Sequence, residues 1–110
     1  PDSDDDDSKG TIIINGGNIK IESQNDAIQA AYKLEINGGT FNIKTYEGAN
    51  SNTFDKDTMS AKGLKCSTNE HENVNNQLII NGGEFHFDTS DDSVHSDYNI
   101  TITKGIFEIK

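Results

Sequence analysis

Short runs in which apolar and polar residues alternate recur along the chain, and most are broken in the middle by an Asn-Gly-Gly corner. The runs begin at residues 12, 34, 78 and 100, so that the first pair and the last pair are 22 residues apart and the middle pair 44. Alternation with a period of two predicts half-buried strands, and the glycine pair allows a sharp corner between two of them. Repetition at a period of this size is typical of stacked-repeat architectures.

A third short strand is predicted after each of the first three runs. Segments 26–30, 62–66 and 92–96 align on one template, in which an inward apolar residue is followed two positions later by a small one. These pairs are Ile28 and Ala30, Leu64 and Cys66, and Val94 and Ser96. Three short strands per period predict an all-β fold, a right-handed parallel β-helix of about four coils of about 22 residues, stacked roughly 4.8 Å apart.

Equivalent residues of successive coils are expected to form columns along such a stack. Asn15, Asn37 and Asn81 predict an asparagine ladder at the first corner. Phe41, Phe85 and Phe107 predict an aromatic column in the core. Cys66 is the only cysteine, so no internal disulfide can form, and its inward position predicts a buried small hydrophobe.

The domain organisation follows from where the repeat pattern starts and where it is interrupted. Residues 1–9 are rich in aspartate and are expected to form an acidic leader or linker, followed by a β-helix domain over residues 10–110. The 44-residue interval is assigned to polar loop insertions at about 46–59 and 67–76. Both end coils should expose strand edges, which predicts end-to-end contact with further coils or another chain.

Composition and charge narrow the choice of partner. The formal net charge is −10, and the nine cationic side chains are all scattered lysines. Binding to nucleic acid is therefore not expected, since it requires a clustered basic patch. Insertion into a membrane is not expected either, because no apolar run approaches the length of a span. An anionic surface favours bound cations, neutral ligands, or anionic ligands bridged by cations.

Acidic residues recur at the corner before the third strand. Asp91-Asp92 occupies this corner in one coil and Asn25-Asp26 in another, with Asp97 after the third strand. Oxygen ligands that converge at a turn predict a calcium site, formed by Asn25, Asp26, Asp91, Asp92 and Asp97. Two alternatives remain open. These side chains form hydrogen bonds within turns, or Lys62 in the intervening coil pairs with Asp26 and Asp92 as a charge ladder.

Two further groups of side chains are candidates for binding. Tyr32 and Tyr98 occupy equivalent corners about 10 Å apart, where their rings could contact successive sugars or simply cover the core. His86, Asp88 and His95 should point outward from adjacent strands, as a transition-metal or acid–base site or as exposed polar positions.

The repeated I-x-I-N-G-G-x-Φ-x-I unit (Φ apolar), followed by S/T-x-x-D-A/S-I/V-x-A/S, resembles a family of secreted bacterial carbohydrate-binding β-helix domains. Its members are cell-surface or cellulosome-associated modules that bind cellulose and acidic pectic polysaccharides. The resemblance implies the fold of pectate lyases, with calcium bound along the helix. It implies that Asp26, Asp91 and Asp92 match the acidic corner residues of the family, and that Lys62-Gly63-Leu64-Lys65 is a variant of that corner.

Together these features predict a secreted or cell-surface protein that binds plant cell-wall polysaccharide without catalysis and with the help of calcium. The candidate sugar contacts are Lys20, Lys65, His86, His95, Tyr32 and Tyr98. The alternative is a structural β-helical spacer or adhesin segment. A pectate-lyase-like enzyme is a third hypothesis, for which only Lys62 or Lys65 lies near enough to the acidic corner to act as a base.

Overall fold

A computed structural model describes residues 10–67 and 75–110, and in these residues the chain is all-β with no helix. The predicted leader 1–9 and most of the second predicted insertion lie outside the described residues. None of the described segments forms a helix long and apolar enough to cross a membrane. The strands are β1 (Thr11–Ile14), β2 (Asn18–Ser23), β3 (Ile28–Ala30), β4 (Lys33–Ile36), β5 (Thr40–Thr45), β6 (Leu64–Cys66), β7 (Gln77–Ile80), β8 (Glu84–Thr89), β9 (Val94–Ser96), β10 (Asn99–Ile102) and β11 (Ile106–Ile109).

These strands form three parallel sheets, and every third strand of the chain joins the same sheet. The first sheet has the order β1-β4-β7-β10, the second β2-β5-β8-β11 and the third β3-β6-β9. The register follows the sequence repeat, since Thr11 pairs with Lys33, Lys33 with Gln77, and Gln77 with Asn99. We therefore divide the chain into repeat 1 (10–31), repeat 2 (32–75), repeat 3 (76–97) and repeat 4 (98–110).

The core lies between the three sheets and consists of the inward columns that the alternation predicts. β4 and β7 bury two aliphatic side chains each, and β5 and β8 alternate buried with partly exposed residues. The aromatic column is confirmed: the ring centroids of Phe41 and Phe85 are 4.8 Å apart, and those of Phe85 and Phe107 are 4.9 Å apart. Cys66 is fully buried, as predicted, and burial raises the pKa of its thiol.

The asparagine ladder is also confirmed, and it continues into repeat 4. Asn37 Nδ2 donates to Asn15 Oδ1 at 2.9 Å, and Asn81 Nδ2 donates to Asn37 Oδ1 at 2.8 Å. Thr103 takes the next position and donates its hydroxyl to Asn81 Oδ1 at 3.0 Å. Gly39 and Gly83, which follow the ladder, have φ values of +114° and +116°, so the corner requires glycine there.

Candidate functional site

A shallow cleft of about 340 Å³ runs across the outer face of the second sheet. Because the register is regular, its side chains form two rows that cross all four repeats. Row one is Lys20, Asn42, His86 and Glu108, and row two is Glu22, Lys44, Asp88 and Lys110. Neighbouring members of a row are about 4.8 Å apart. The cleft therefore presents a polar groove with a regular spacing along the stack.

The lysines of this cleft are less firmly paired with carboxylates than Lys33, Lys62 and Lys65 are. Lys33 lies 3.1 Å from Glu35, and Lys62 lies 2.7 Å from Asp91. In the cleft, Lys20 is only loosely paired, with its ammonium 4.0 Å from Glu22. Within the described part of the chain, neither Lys44 nor Lys110 has a carboxylate within ion-pair distance. Three ammonium groups on this face are thus available to an anionic ligand.

His86 lies at the centre of the cleft between two glutamates. Its Nδ1 is 2.7 Å from Glu108 Oε1, and its Nε2 is 2.8 Å from Glu84 Oε2. These hydrogen bonds, first that of Glu108 and then that of Glu84, raise the pKa of His86 above its ordinary value. The protonated ring donates to both carboxylates, so the cleft gains a positive charge as the pH falls.

The raised pKa predicts a pH dependence that nuclear magnetic resonance can measure at the His86 ring. The ion pairs stabilise the fold fully below the unfolded-state pKa of about 6.5, and this contribution is lost as the pH rises through the higher folded-state pKa. Glu108→Gln is expected to lower the pKa of His86, since Glu108 is its strongest partner. Glu22→Gln removes the same charge from the same face and serves as the control. If the pKa of His86 is equally low in both variants, Glu108 is not the main cause of its raised pKa.

The loop after β5 binds Asp88, which is a member of row two. Ala49 N donates to Asp88 Oδ1 at 2.8 Å, and the Ser90 hydroxyl donates to Gly48 O. Gly48 has a φ of +83°, and a Cβ there would lie 2.6 Å from Asp88 Oδ1. The glycine thus allows the insertion of repeat 2 to pack tightly against repeat 3.

The predicted calcium corner is occupied by lysine ammonium groups. Lys62 Nζ lies 2.7 Å from Asp91 Oδ2, and Lys65 Nζ lies 3.3 Å from Asp26 Oδ2. Asp26 Oδ1 also accepts hydrogen bonds from Lys62 N and from the Ser60 hydroxyl, both at 2.8 Å. Neither ion pair expected of the Lys62 ammonium is present, because it pairs with Asp91 in place of Asp92, and Asp26 pairs with Lys65. The Asp91 carboxylate turns back to accept from Asp92 N at 2.7 Å, while the Asp92 side chain is 53% exposed.

Both paired carboxylates are held in their charged form. Burial acts to raise the pKa of Asp26, but the hydrogen bonds from Lys62 N and Ser60 and the charge of Lys65 outweigh it, and the pKa falls below its ordinary value. Burial likewise acts to raise the pKa of Asp91, and the contacts with Lys62, Asp92 N and Ala61 N outweigh it. Two lysines thus supply the positive charge that was expected from calcium.

The other predicted ligands do not gather around one point. Asn25 is exposed and its backbone N–H donates to the Ser23 hydroxyl, while Asp97 lies 2.9 Å from His95 Nε2. Within residues 10–67 and 75–110, no group of three or more histidine, cysteine, aspartate or glutamate side chains is arranged to hold a metal ion. The residues as placed do not fit a calcium ion, and calcium binding stays a prediction.

The predicted sugar contacts are divided between three parts of the surface. Lys20 and His86 lie in the cleft, whereas Lys65 and His95 are neighbours on the third sheet. Tyr32 and Tyr98 precede β4 and β10, and Tyr98 is 60% exposed. His86, Asp88 and His95 do not form one site, because each has a different partner. His86 binds glutamates, Asp88 accepts from Ala49 N in the loop, and His95 binds Asp97.

Sequence reasoning missed most of the cleft, although the signal was present in the repeat. Applying the 22-residue register to Lys20 and Glu22 gives the missed members, which are Asn42, Lys44, Glu108 and Lys110. The sequence prediction used the register for the core columns and the corners, and did not extend it to the outward positions of the second sheet.

A family model described as "Carbohydrate-binding domain-containing protein" matches residues 1–110. No curated protein and no solved structure matches the chain.

Proposed function

Because the chain belongs to the family of carbohydrate-binding domain-containing proteins, we propose that it binds an extended polysaccharide without catalysis, along the cleft of the second sheet. The observation that carries this proposal is the pair of regular rows of polar side chains, which present hydrogen-bond donors and acceptors side by side. Lys44, Asp88 and Lys110 alternate in charge across successive strands, as do Lys20 and Glu22 along one strand. Sugar hydroxyls both donate and accept hydrogen bonds, so a polymer that follows the stack meets a donor or an acceptor that it can use at each repeat.

The ligand class that we propose is an acidic plant cell-wall polysaccharide of the pectic type. Lys20, Lys44 and Lys110 supply ammonium groups from repeats 1, 2 and 4 on one face. The whole chain carries a net charge of −10, but repulsion between exposed charges is screened beyond about 8–10 Å in physiological salt. Local ammonium groups therefore decide whether a uronate carboxylate is held. Since such polymers are extracellular, we propose a secreted or cell-surface location.

The architecture that supports this function is proposed to be a right-handed parallel β-helix. The orders β1-β4-β7-β10 and β2-β5-β8-β11, both in chain order and in a 22-residue register, support continuous winding of one chain. Crossovers between parallel strands are almost always right-handed. This winding would keep the two rows of the cleft aligned along one side of the stack.

Affinity electrophoresis in gels that contain polygalacturonate tests the proposed ligand. The triple variant K20Q/K44Q/K110Q is expected to bind about tenfold more weakly, because each lost ammonium–carboxylate contact removes part of the attraction. The matched control is K33Q/K56Q/K104Q, which changes the net charge equally at positions outside the cleft. Equal weakening in both variants would mean that attraction is non-specific and would overturn the cleft as the site.

Other outcomes of this experiment identify the alternative functions. Binding to insoluble cellulose in place of polygalacturonate would make the ligand a neutral β-glucan. Failure to bind any polysaccharide would support the structural spacer. Repeating the electrophoresis with a chelator tests whether polysaccharide binding requires calcium. Because the ammonium groups of Lys62 and Lys65 already pair with Asp91 and Asp26, we expect binding to be unchanged by the chelator. Loss of binding with chelator, and its return with calcium, would restore the calcium-assisted mechanism.

A further inference from the structure

His86 holds a carboxylate with each of its ring nitrogens. Its Nδ1 is 2.7 Å from Glu108 Oε1 on β11, and its Nε2 is 2.8 Å from Glu84 Oε2 on β8. The protonated ring can donate to both carboxylates, but the neutral ring has a single N–H and can donate to only one of them. Loss of the proton therefore removes a positive charge from the cleft and leaves one carboxylate without its hydrogen bond to the ring.

The side chains that face His86 come from its own strand and from both neighbouring strands. They are Glu84 and Asp88 of β8, Asn42 and Lys44 of β5, and Glu108 of β11, with Lys110 directly after β11. Apart from His86, the described side chains that line the cleft include three ammonium groups and three carboxylates, which are those of Lys20, Lys44, Lys110, Glu22, Asp88 and Glu108. These six charges cancel, so the proton on His86 decides whether the lining is neutral or positive.

A uronate polymer in the cleft would lie close enough to His86 to be affected by this charge. Lys44 and Lys110 lie one strand away from His86 on either side, and neighbouring strands are about 4.8 Å apart. A carboxylate bound to either lysine therefore lies within about one screening length of the His86 ring, which is about 8–10 Å in physiological salt. Histidine ordinarily changes its charge between about pH 5 and 8, whereas a carboxylate stays negative over most of that range. The attraction between the polymer and the cleft should thus follow the proton on His86.

We propose, on the basis of the proposed function, that the proton on His86 controls the affinity of the cleft for acidic polysaccharide, with the cleft binding it more tightly when the ring is protonated. Linkage requires the reverse effect as well, so the bound polymer favours the protonated ring. The hydrogen bonds of Glu108 and Glu84 raise the pKa of His86 above its ordinary value of 6.5, which moves the change in affinity toward neutral pH. A neutral β-glucan carries no charge, so its affinity should change much less.

Calorimetric titration with a short galacturonate oligomer tests this control of affinity. At constant ionic strength, the dissociation constant of the parent chain should rise about fivefold between about pH 5.5 and 8.5, because one screened charge near the ligand is lost. Titrations in buffers with different heats of ionisation should show that binding takes up protons near the pKa of His86. In nuclear magnetic resonance, the same fivefold effect should appear as a rise of about 0.7 in the pKa of His86 when the oligomer is bound.

His86→Gln and His95→Gln form a matched pair of variants for this titration. His95 also lies beside two carboxylates, 2.9 Å from Asp97 Oδ1 and 3.9 Å from Asp92 Oδ2, but it belongs to the third sheet and does not line the cleft. H86Q should bind with a dissociation constant that no longer follows the pH and should take up far fewer protons, while H95Q should keep the fivefold change of the parent chain. A fivefold change that persists in H86Q would overturn the role of His86.

Glu108→Gln gives a second test in a chain that keeps His86. Because this change should lower the pKa of His86, the midpoint of the change in affinity should move to lower pH together with that pKa. A midpoint that stays in place while the pKa moves would overturn the proposal. If the parent chain binds the oligomer equally across the pH range, this inference fails and the proposed function stands. If the oligomer binds at no pH, the proposed function fails, and this inference fails with it.

Discussion

Replacing Phe85 with alanine is expected to lower the free energy of unfolding by about 3–5 kcal/mol, as for other large-to-small changes in a packed core. Its ring is fully buried and is stacked on both sides, 4.8 Å from Phe41 and 4.9 Å from Phe107. Removing it leaves a cavity at the centre of the aromatic column and removes both stacking contacts along the column, together with its contact with the Phe87 ring. In a chain of 110 residues, a loss of this size is a large part of the total stability.

Urea denaturation measures this loss, and Phe107→Ala is the matched control. Phe107 stacks on Phe85 alone and is only partly buried in the described residues, so the same change should cost less there. A smaller loss for Phe85→Ala than for Phe107→Ala would show that the column is not the main support of the core.

The sheets and the core columns could be predicted from the sequence because they depend on one regular signal. Alternation selects the inward face of each strand, and the 22-residue repeat aligns equivalent residues such as Phe41 and Phe85. The same logic correctly aligns Leu64 with Ile28 and Val94 across the third sheet, despite the two insertions. A regular pattern is sufficient here because parallel pairing in register is itself regular.

The candidate site was harder to predict because its contacts are set by local turns and by an irregular loop. Column alignment placed Lys62 against Asp92, but one hydrogen bond from Asp92 N turns the Asp91 carboxylate toward the lysine instead. The contact between Ala49 N and Asp88 joins residues 39 positions apart through a loop that has no repeat. Neither contact leaves a periodic signal in the sequence.

Gly63→Ala is the second substitution with a large expected effect, a loss of about 2–3 kcal/mol from overpacking. An added Cβ would lie 2.6 Å from Ser93 O and 2.7 Å from the Phe87 ring. The φ of Gly63 is not positive, so alanine would fit the backbone conformation, and the expected loss of stability comes from steric overlap alone. In the same column Ala27 carries a methyl group, and Ala27→Gly is expected to destabilise the protein by about 0.5–1 kcal/mol through backbone entropy. A methyl group thus has opposite effects at two equivalent positions.

The reason for this difference is the size of the neighbouring side chain in the second sheet. Ile21 and Ile43 pair in register, and Phe87 follows them in that column with a ring that fills the space beside Gly63. A double-mutant cycle with Phe87→Ile therefore separates the contact with the Phe87 ring from the contact with Ser93 O. The loss of unfolding free energy in G63A/F87I should be about 1 kcal/mol smaller than the sum of the losses in G63A and F87I. Full recovery is not expected, because the Ser93 carbonyl belongs to the β6–β9 pairing and cannot move away alone. Strict additivity would mean that Ser93 O, and not the Phe87 ring, is what requires glycine at position 63.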